Sequence, residues 1–272
     1  MDRLGIEALS VFGLPPVEFV ELAADLGCRH ITLFLQSFAL VPLGYPAFSL
    51  RDDVALRKDI LAAMDHHGVT ISLGDGFIVL PGADMRSFCA DLDVLSELGV
   101  PRINVVSLDA DLNHTFDQFA ALAELAAQRQ IETVIEPVPG LTVGDLPTAL
   151  AALNHIARPD VRLLIDTMHL VRSGSSAQDL RAVDPRLIGY AQLADTTLTP
   201  GSGHYAEEAM FERMVPGEGE LPLPDIVAAL PSDVVIGLEV PRRSLALSGV
   251  TPIDRLRPCV EAARALLSAV SR

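Results

Sequence analysis

The chain has 272 residues, with 36 Asp plus Glu against 20 Lys plus Arg, a formal net charge of −16, and a composition that is 50% hydrophobic and 21% charged. That length and hydropathy support a large buried core and exclude intrinsic disorder. The negative balance excludes a basic surface for nucleic acid, so small molecules are the expected partners.

Cys28, Cys89 and Cys259 are far apart and form no CxxC pair, which suits reduced thiols in the core. The opening MDRLGIEALSVFGLPP lacks the basic, apolar and small-residue succession of a secretory signal, so a cytoplasmic location is expected. Residues 31–50 carry no charge but include Pro42, Gly44 and Pro46, which a membrane-spanning helix would not favour. No membrane association is expected.

In chain order, aliphatic or β-branched runs at 4–9, 31–35, 70–73, 102–106, 132–136, 162–166, 187–193 and 234–239 read as strands. Between them, helical spacing of apolar residues marks 19–26, 54–67, 85–98, 116–130 and 146–155, with shorter helices at 177–183 and 224–230 and a closing one at 254–270. Gly27, Gly68 and Gly99 follow helical runs where a left-handed cap uses glycine. Eight βα units without a linker predict one domain over 1–272, an α/β fold of the (β/α)₈ TIM barrel type. A doubly wound sheet is the rival, but the first strand leads into SVFGLPP, which lacks GxGxxG and GxxxxGK.

In such a barrel the chemistry lies at the carboxyl ends of the strands. Four polar residues end apolar runs there: Glu136 in TVIEPVP, Asp166 in RLLIDTMH, Gln192 in GYAQLAD and Glu239 in VIGLEVP. One strand-terminal carboxylate alone would read as a cap for loop amides. Four residues on consecutive strands converge, and their carboxylates would repel one another unless a cation sat between them. An all-oxygen set suits Mg²⁺ or Mn²⁺, with positions left for a chelating hydroxy-carbonyl substrate whose carbonyl the metal would polarise.

The motifs IEPVPG, IDTMHL, QLAD and LEVP, with VPGEGELPL between the last two, resemble the xylose isomerase-like (β/α)₈ superfamily of hydroxypyruvate isomerases, ketose 3-epimerases, and inosose and 3-dehydroshikimate dehydratases. The resemblance implies that Glu136, Asp166, Gln192 and Glu239 are metal ligands and that Glu136 and Glu239 move the proton. It implies substrate-binding roles for His169 and Arg213. Gln192 stands where ketose 3-epimerases often have histidine, and PVPGLTVGD departs from the asparagine-containing pattern of the hydroxypyruvate isomerases. The apurinic endonuclease branch, with its three-zinc site, needs more strand-end histidines than this chain offers.

The leading expectation is a divalent-metal-dependent isomerase or epimerase of a small hydroxy-carbonyl substrate, working through an enediolate. The alternative is a metal-dependent dehydratase or lyase on a cyclic hydroxy-ketone, 3-dehydroshikimate-like or inosose-like. A non-catalytic sugar-binding barrel is the third reading, and the intact carboxylate set argues against it.

Other residues are more ambiguous. His169, three after Asp166, reads as a substrate contact in the turn leaving strand six; a bond to a backbone carbonyl is the plainer alternative. His204 and Tyr205 belong either to a lid or to an ordinary solvated loop. Asp195 would orient Gln192 or help position Arg213, and Asp75 would contact substrate or serve the turn at Gly76. The pair His66 and His67 suits the negative end of a helix dipole. The apolar stretch 38–48 is expected to cover the pocket or an oligomer interface, so a homo-oligomer is among the expectations.

Overall fold

Each aliphatic run is too short to bury both faces alone, and the runs solve this by pairing side by side around a ring. β1 (Leu4–Ile6), β2 (His30–Phe34), β3 (Thr70–Val79), β4 (Arg102–Ser107), β5 (Glu132–Ile135), β6 (Val161–Asp166), β7 (Ile188–Leu193) and β8 (Ile236–Leu238) pair in parallel in sequence order. β8 returns to β1 through Leu4, Gly5 and Ile6, which closes the barrel and leaves no sheet edge. The computed structural model describes residues 3–37, 41–201 and 205–270.

The outer layer follows the expected alternation. α1 (Pro16–Asp25), α2 (Val54–His67), α3 (Cys89–Glu97), α4 (Leu112–Ala127) and α5 (Leu146–Ile156) each connect successive strands. α6 (Thr167–Arg172) and α7 (Ala177–Ala182) follow β6, α8 (Tyr205–Phe211) and α9 (Leu223–Ala229) follow β7, and α10 (Arg243–Leu247) and α11 (Pro252–Val270) end the chain. Aspartates start several helices by accepting orphan backbone N–H groups: Asp53 from Leu56, Asp111 from Asn113 and His114, Asp145 from Thr148. Gly68 ends α2 at φ 66° and donates to the Met64 carbonyl, as its placement after the helical run predicts. Among the described residues no helix is long and apolar enough to cross a membrane.

Several boundaries differ from expectation. The first strand stops at Ile6 because Ala8–Val11 coil into a 3₁₀ turn under the barrel mouth. The helix expected over 85–98 divides into a 3₁₀ turn at Met85–Phe88, capped by Asp84, and α3. β3 continues to Val79, with a register shift against β4 between Gly74 and Phe77. β8 shortens to three residues, so Glu239 lies just past its end. Helices α6, α8 and α10 have six, seven and five residues, too few for a 3.6-residue period to show.

Strand alternation sorts the inner face from the outer one. Ile6, Ile103, Ile135, Ile165 and Leu193 point outward into the large core beneath the helices. Leu73, Val134, Leu164 and Tyr190 form a separate apolar cluster inside the barrel. Two residues further along their strands come Asp75, Glu136, Asp166 and Gln192, so an apolar plug supports a polar layer at the carboxyl ends. Tyr190 joins the two: its ring packs in the plug while its hydroxyl donates to Glu7 Oε1 at 2.8 Å and meets Ser72 Oγ at 3.1 Å.

Gly237 makes that layer possible, since a Cβ there would lie 1.5 Å from Glu7 Oε1 and 2.9 Å from the Tyr190 hydroxyl. Gly237→Ala therefore overpacks the barrel interior and is expected to cost about 1–3 kcal/mol, read as a lower midpoint in urea denaturation; an unchanged midpoint would mean that Glu7 has room to move.

Candidate active site

The period of two along each strand turns the four residues singled out above into one cluster. Asp166 and Gln192 are register partners on β6 and β7, Gln192 pairs with Gly237 on β8, and Glu136 and Glu239 follow β5 and β8 directly. All four are buried. The chain arriving from β7 supplies their counter-charge. Arg213 donates from Nη1 to Asp166 Oδ2 at 2.5 Å and from Nη2 to Glu239 Oε2 at 2.8 Å, and its Nε donates to the Ala209 carbonyl at 2.7 Å. Arg213 still has N–H groups to offer a ligand after these bonds.

Asp195 holds the segment that presents Arg213. Its backbone bridges Met214 in both directions, and its carboxylate accepts from the N–H groups of Thr196, Gly217 and Leu221. Of its two expected roles, the structure supports the one toward Arg213, exerted through the backbone. Gly219 passes so close that a Cβ would lie 2.3 Å from Asp195 Oδ1, which explains the glycine in the PGEGEL turn.

Burial in this layer works against ionisation, and nearby charges decide which acids resist it. Desolvation, with the charge of Asp166, pushes Glu136 up to about 8. Glu239 is raised well above the ordinary range by burial, which outweighs Arg213. Asp166 goes the other way: burial would raise it, but Arg213, His169 and the His169 backbone N–H together bring it down to about 2. One carboxylate is thus firmly ionised beside others that hold protons near neutrality.

His169 lies on α6 rather than in an open turn, and Asp166 caps that helix by accepting from the His169 N–H at 2.8 Å. Burial pushes the imidazole down to about 4, so the ring is neutral. Its Nδ1 meets the Tyr205 hydroxyl and its Nε2 lies 3.5 Å from Glu136 Oε1. Burial keeps Tyr205 protonated, and its hydroxyl can donate to Nδ1 or accept from it, according to the tautomer of the ring. Tyr205, at the start of α8, is half-buried against His169 and not part of a freely solvated loop. His204 lies outside the described residues.

Three residues of the layer carried little weight in the sequence. Glu7 is fully buried, donors from Tyr190 and Gln192 converge on it, and burial pushes it up to about 8. Asn104 donates from Nδ2 to Glu136 Oε2 and so orients that carboxylate. Asp75 sits within β3 rather than in a turn, bonded to Asn104 and Thr32, with burial pushing it up to about 6. Glu7 ends LGIE and Asn104 interrupts RINVVS; a polar residue on the inner side of a strand is the signal that finds them.

The other histidines serve the periphery: His114 pairs with Asp109 and His155 with Asp117. Of the apolar stretch 38–48, residues 41–48 are described. Val41 is buried with Phe12 and Ala246, with Leu43 and Phe211 against them, so this part packs on the barrel mouth.

Two observations fit the layer to a divalent cation. Ligand atoms of Glu136, Asp166 and His169 all lie within 4.8 Å of one another. Gln192 Oε1 is buried without a hydrogen-bond partner. His169 joins Glu136 and Asp166 in this compact group, Glu239 is linked to Asp166 through Arg213, and Gln192 contacts Glu239 at 3.3 Å. A predominantly oxygen donor set rich in carboxyl groups is what a hard cation requires.

The comparisons with known proteins agree with this fold. The chain is 26% identical over 189 residues to the inosose isomerase of Bacillus subtilis (strain 168), a stretch covering 68% of this chain and 62% of that relative. The structure of the IolI protein with a bound zinc atom superposes with a TM-score of 0.80 at 18% identity, over 98% of each chain. The probable 3-DHS dehydratase AsbF from Bacillus anthracis superposes with a TM-score of 0.75 at 13% identity, over 96% of this chain and 98% of that one. A family model described as xylose isomerase-like TIM barrel matches residues 20–267, and the chain belongs to that family.

Proposed function

We propose that this protein is a divalent-metal-dependent isomerase or epimerase of a small, uncharged hydroxy-carbonyl substrate, transferring a proton between two glutamates. The observation that carries the reading is the buried cluster of Glu136, Asp166 and Glu239 around the single guanidinium of Arg213, with Gln192 Oε1 left unpartnered. The likeness to the inosose isomerase supports it.

Glu136, Asp166, Gln192 and Glu239 would hold the metal, with His169 close at hand, and Mn²⁺ or Mg²⁺ suits the oxygen-rich set. A bound cation supplies Lewis acidity that polarises a substrate carbonyl. The chain's own groups do the rest. One glutamate takes the proton from the carbon next to the carbonyl, and the same or the other glutamate returns it to the resulting enediolate. Burial raises the proton affinity of Glu136, which suits a group that must accept a proton from carbon. Asn104 fixes the Glu136 carboxylate, the His169 Nε2 lies 3.5 Å from it, and Arg213 offsets negative charge that develops on substrate oxygen.

Charge pairing favours an uncharged substrate. Arg213 is shared by Asp166 and Glu239, Arg172 in the cleft by Tyr205 is paired with Glu208 at 2.7 Å, and Arg51 in the cleft by Asp75 is paired with Asp91. A carboxylate or phosphate on the substrate would find each of these three arginines already paired with an acid. This weighs against a 3-dehydroshikimate-like acid and in favour of a keto-sugar or cyclic keto-polyol.

Glu239→Gln is expected to lower solvent-deuterium incorporation into substrate by about 10²–10⁴-fold in a protein that retains its circular dichroism. Undiminished exchange would remove Glu239 from the proton path. The panel should span keto-sugars, cyclic keto-polyols and hydroxy-keto acids; a product lighter by one water would replace isomerisation with dehydration.

The raised acids also predict how stability responds to pH. Glu7 and Glu136, each brought from 4.5 to about 8, bind protons in the folded state that the unfolded chain releases, so their contribution is complete below 4.5 and lost as pH rises through about 8. His169, lowered from 6.5 to about 4, acts in the opposite direction but only below about 6.5. Between pH 6.5 and 8.5 the acids dominate. The Tm of chelator-treated protein should therefore fall across that window, and excess Mn²⁺ should flatten or reverse the fall because the cation takes over from the protons. A Tm in chelator that is flat or rises from pH 6.5 to 8.5 would contradict the assignment.

A further inference from the structure

The Gln192 amide has two ends of similar size, a donor NH₂ and an acceptor oxygen, and its surroundings here differ at each. Nε2 donates to Glu7 Oε2 at 3.1 Å and to Glu239 Oε1 at 3.3 Å, using both amide hydrogens, and turned over, the amide oxygen would need a proton from each of the two acids to keep both bonds. The opposite end, Oε1, is buried and bonded to nothing. Glu239 alone is a weak clamp, since its other oxygen is drawn to Arg213. Glu7 is held far more firmly. It is fully buried, its Oε1 accepts from the Tyr190 hydroxyl, that hydroxyl meets Ser72, and Gly237 leaves the space that the carboxyl fills.

From this geometry we propose that Glu7 is a positioning residue: it locks the Gln192 side chain with nitrogen toward β1 and oxygen presented as the ligand atom for a divalent cation. The inference rests on the metal reading above and adds to it the residue that makes a glutamine serviceable as a ligand. A histidine ligand can be oriented by a bond to its second ring nitrogen; a glutamine needs its NH₂ held, and Glu7 supplies the acceptor from the first strand of the barrel.

The test is Mn²⁺ binding by isothermal titration calorimetry to the full chain, wild type against Glu7→Leu, Gln192→Leu and the double variant. Glu7→Asp serves as a second single variant, which keeps an acid but withdraws it from Gln192. Glu7→Leu, or Glu7→Asp should the leucine variant fail to fold, is expected to weaken Mn²⁺ binding by about 10–100-fold. Gln192→Leu is expected to weaken it to a similar degree, and the double variant no further than Gln192→Leu alone. That absence of additivity is the signature of Glu7 acting through Gln192, because a general loosening of the site would weaken the two backgrounds alike. An unchanged Kd in a folded Glu7 variant, or an equal further loss on top of Gln192→Leu, overturns the positioning role while leaving the metal reading standing. A wild-type protein that binds no Mn²⁺ overturns both.

Discussion

The Asp166–Arg213 ion pair, with Glu239 on the other arm of the guanidinium, is the constraint on which the carboxyl end of the barrel depends. These three residues come from different parts of the chain, and all are buried. A buried ion pair adds little net stability over an apolar pair of the same shape, but removing one partner leaves an uncompensated charge that costs about 3–5 kcal/mol. The grouping is therefore better understood as fixing geometry than as adding stability. It sets the distance between β6 and β8 and holds the 205–221 segment against the mouth. It also separates the acids into an ionised Asp166 and glutamates that keep protons.

The layer beneath explains how a barrel tolerates so much polarity inside. Leu73, Val134, Leu164 and Tyr190 form an apolar cluster inside the barrel beneath the polar layer. Above them nearly every side chain is tied to another: Tyr190 to Glu7, Glu7 to Gln192, Gln192 to Glu239, Asn104 to Glu136. In a network of that kind an unpaired atom is conspicuous, because burying a polar group without a bond is costly. Gln192 Oε1 and Asn104 Oδ1 are buried in this layer with no hydrogen-bond partner among the described residues, whereas the acids already have donors.

Much of this was legible in the sequence, for a physical reason. A strand of a parallel barrel is apolar on both faces until it reaches the mouth, so the first polar residue after an aliphatic run marks the end of the strand and the edge of the site together. Glu136, Asp166, Gln192 and Glu239 each stand at such a point. Glu7 obeys the same rule but was hidden because Ala8–Val11 continue the apolar pattern in a 3₁₀ turn. Asn104 lies within a strand, where only the inner or outer sense of its side chain distinguishes it. Helices α6, α8 and α10 were illegible because one or two turns cannot display a period, and they are held by tertiary bonds such as the Asp166 cap and the Arg172–Glu208 pair.

The division of labour between strands and loops follows from the same facts. The acids stand on or directly after strands, where the hydrogen-bonded ladder fixes them, but their counter-charge arrives on a connection that has little regular structure of its own. Asp195 compensates by gathering three backbone N–H groups into one carboxylate, converting the stretch up to Leu221 into a turn as determinate as a strand end. Gly217 at φ 92° and the close pass of Gly219 are the backbone concessions that let the turn close. Arg213 inherits its position from that turn and passes it to the acids. A residue with no contact to any proposed ligand atom thereby governs the charge balance of the cluster, which is why the PGEGEL motif belongs with the site although none of its own side chains enters the Asp166–Arg213–Glu239 group.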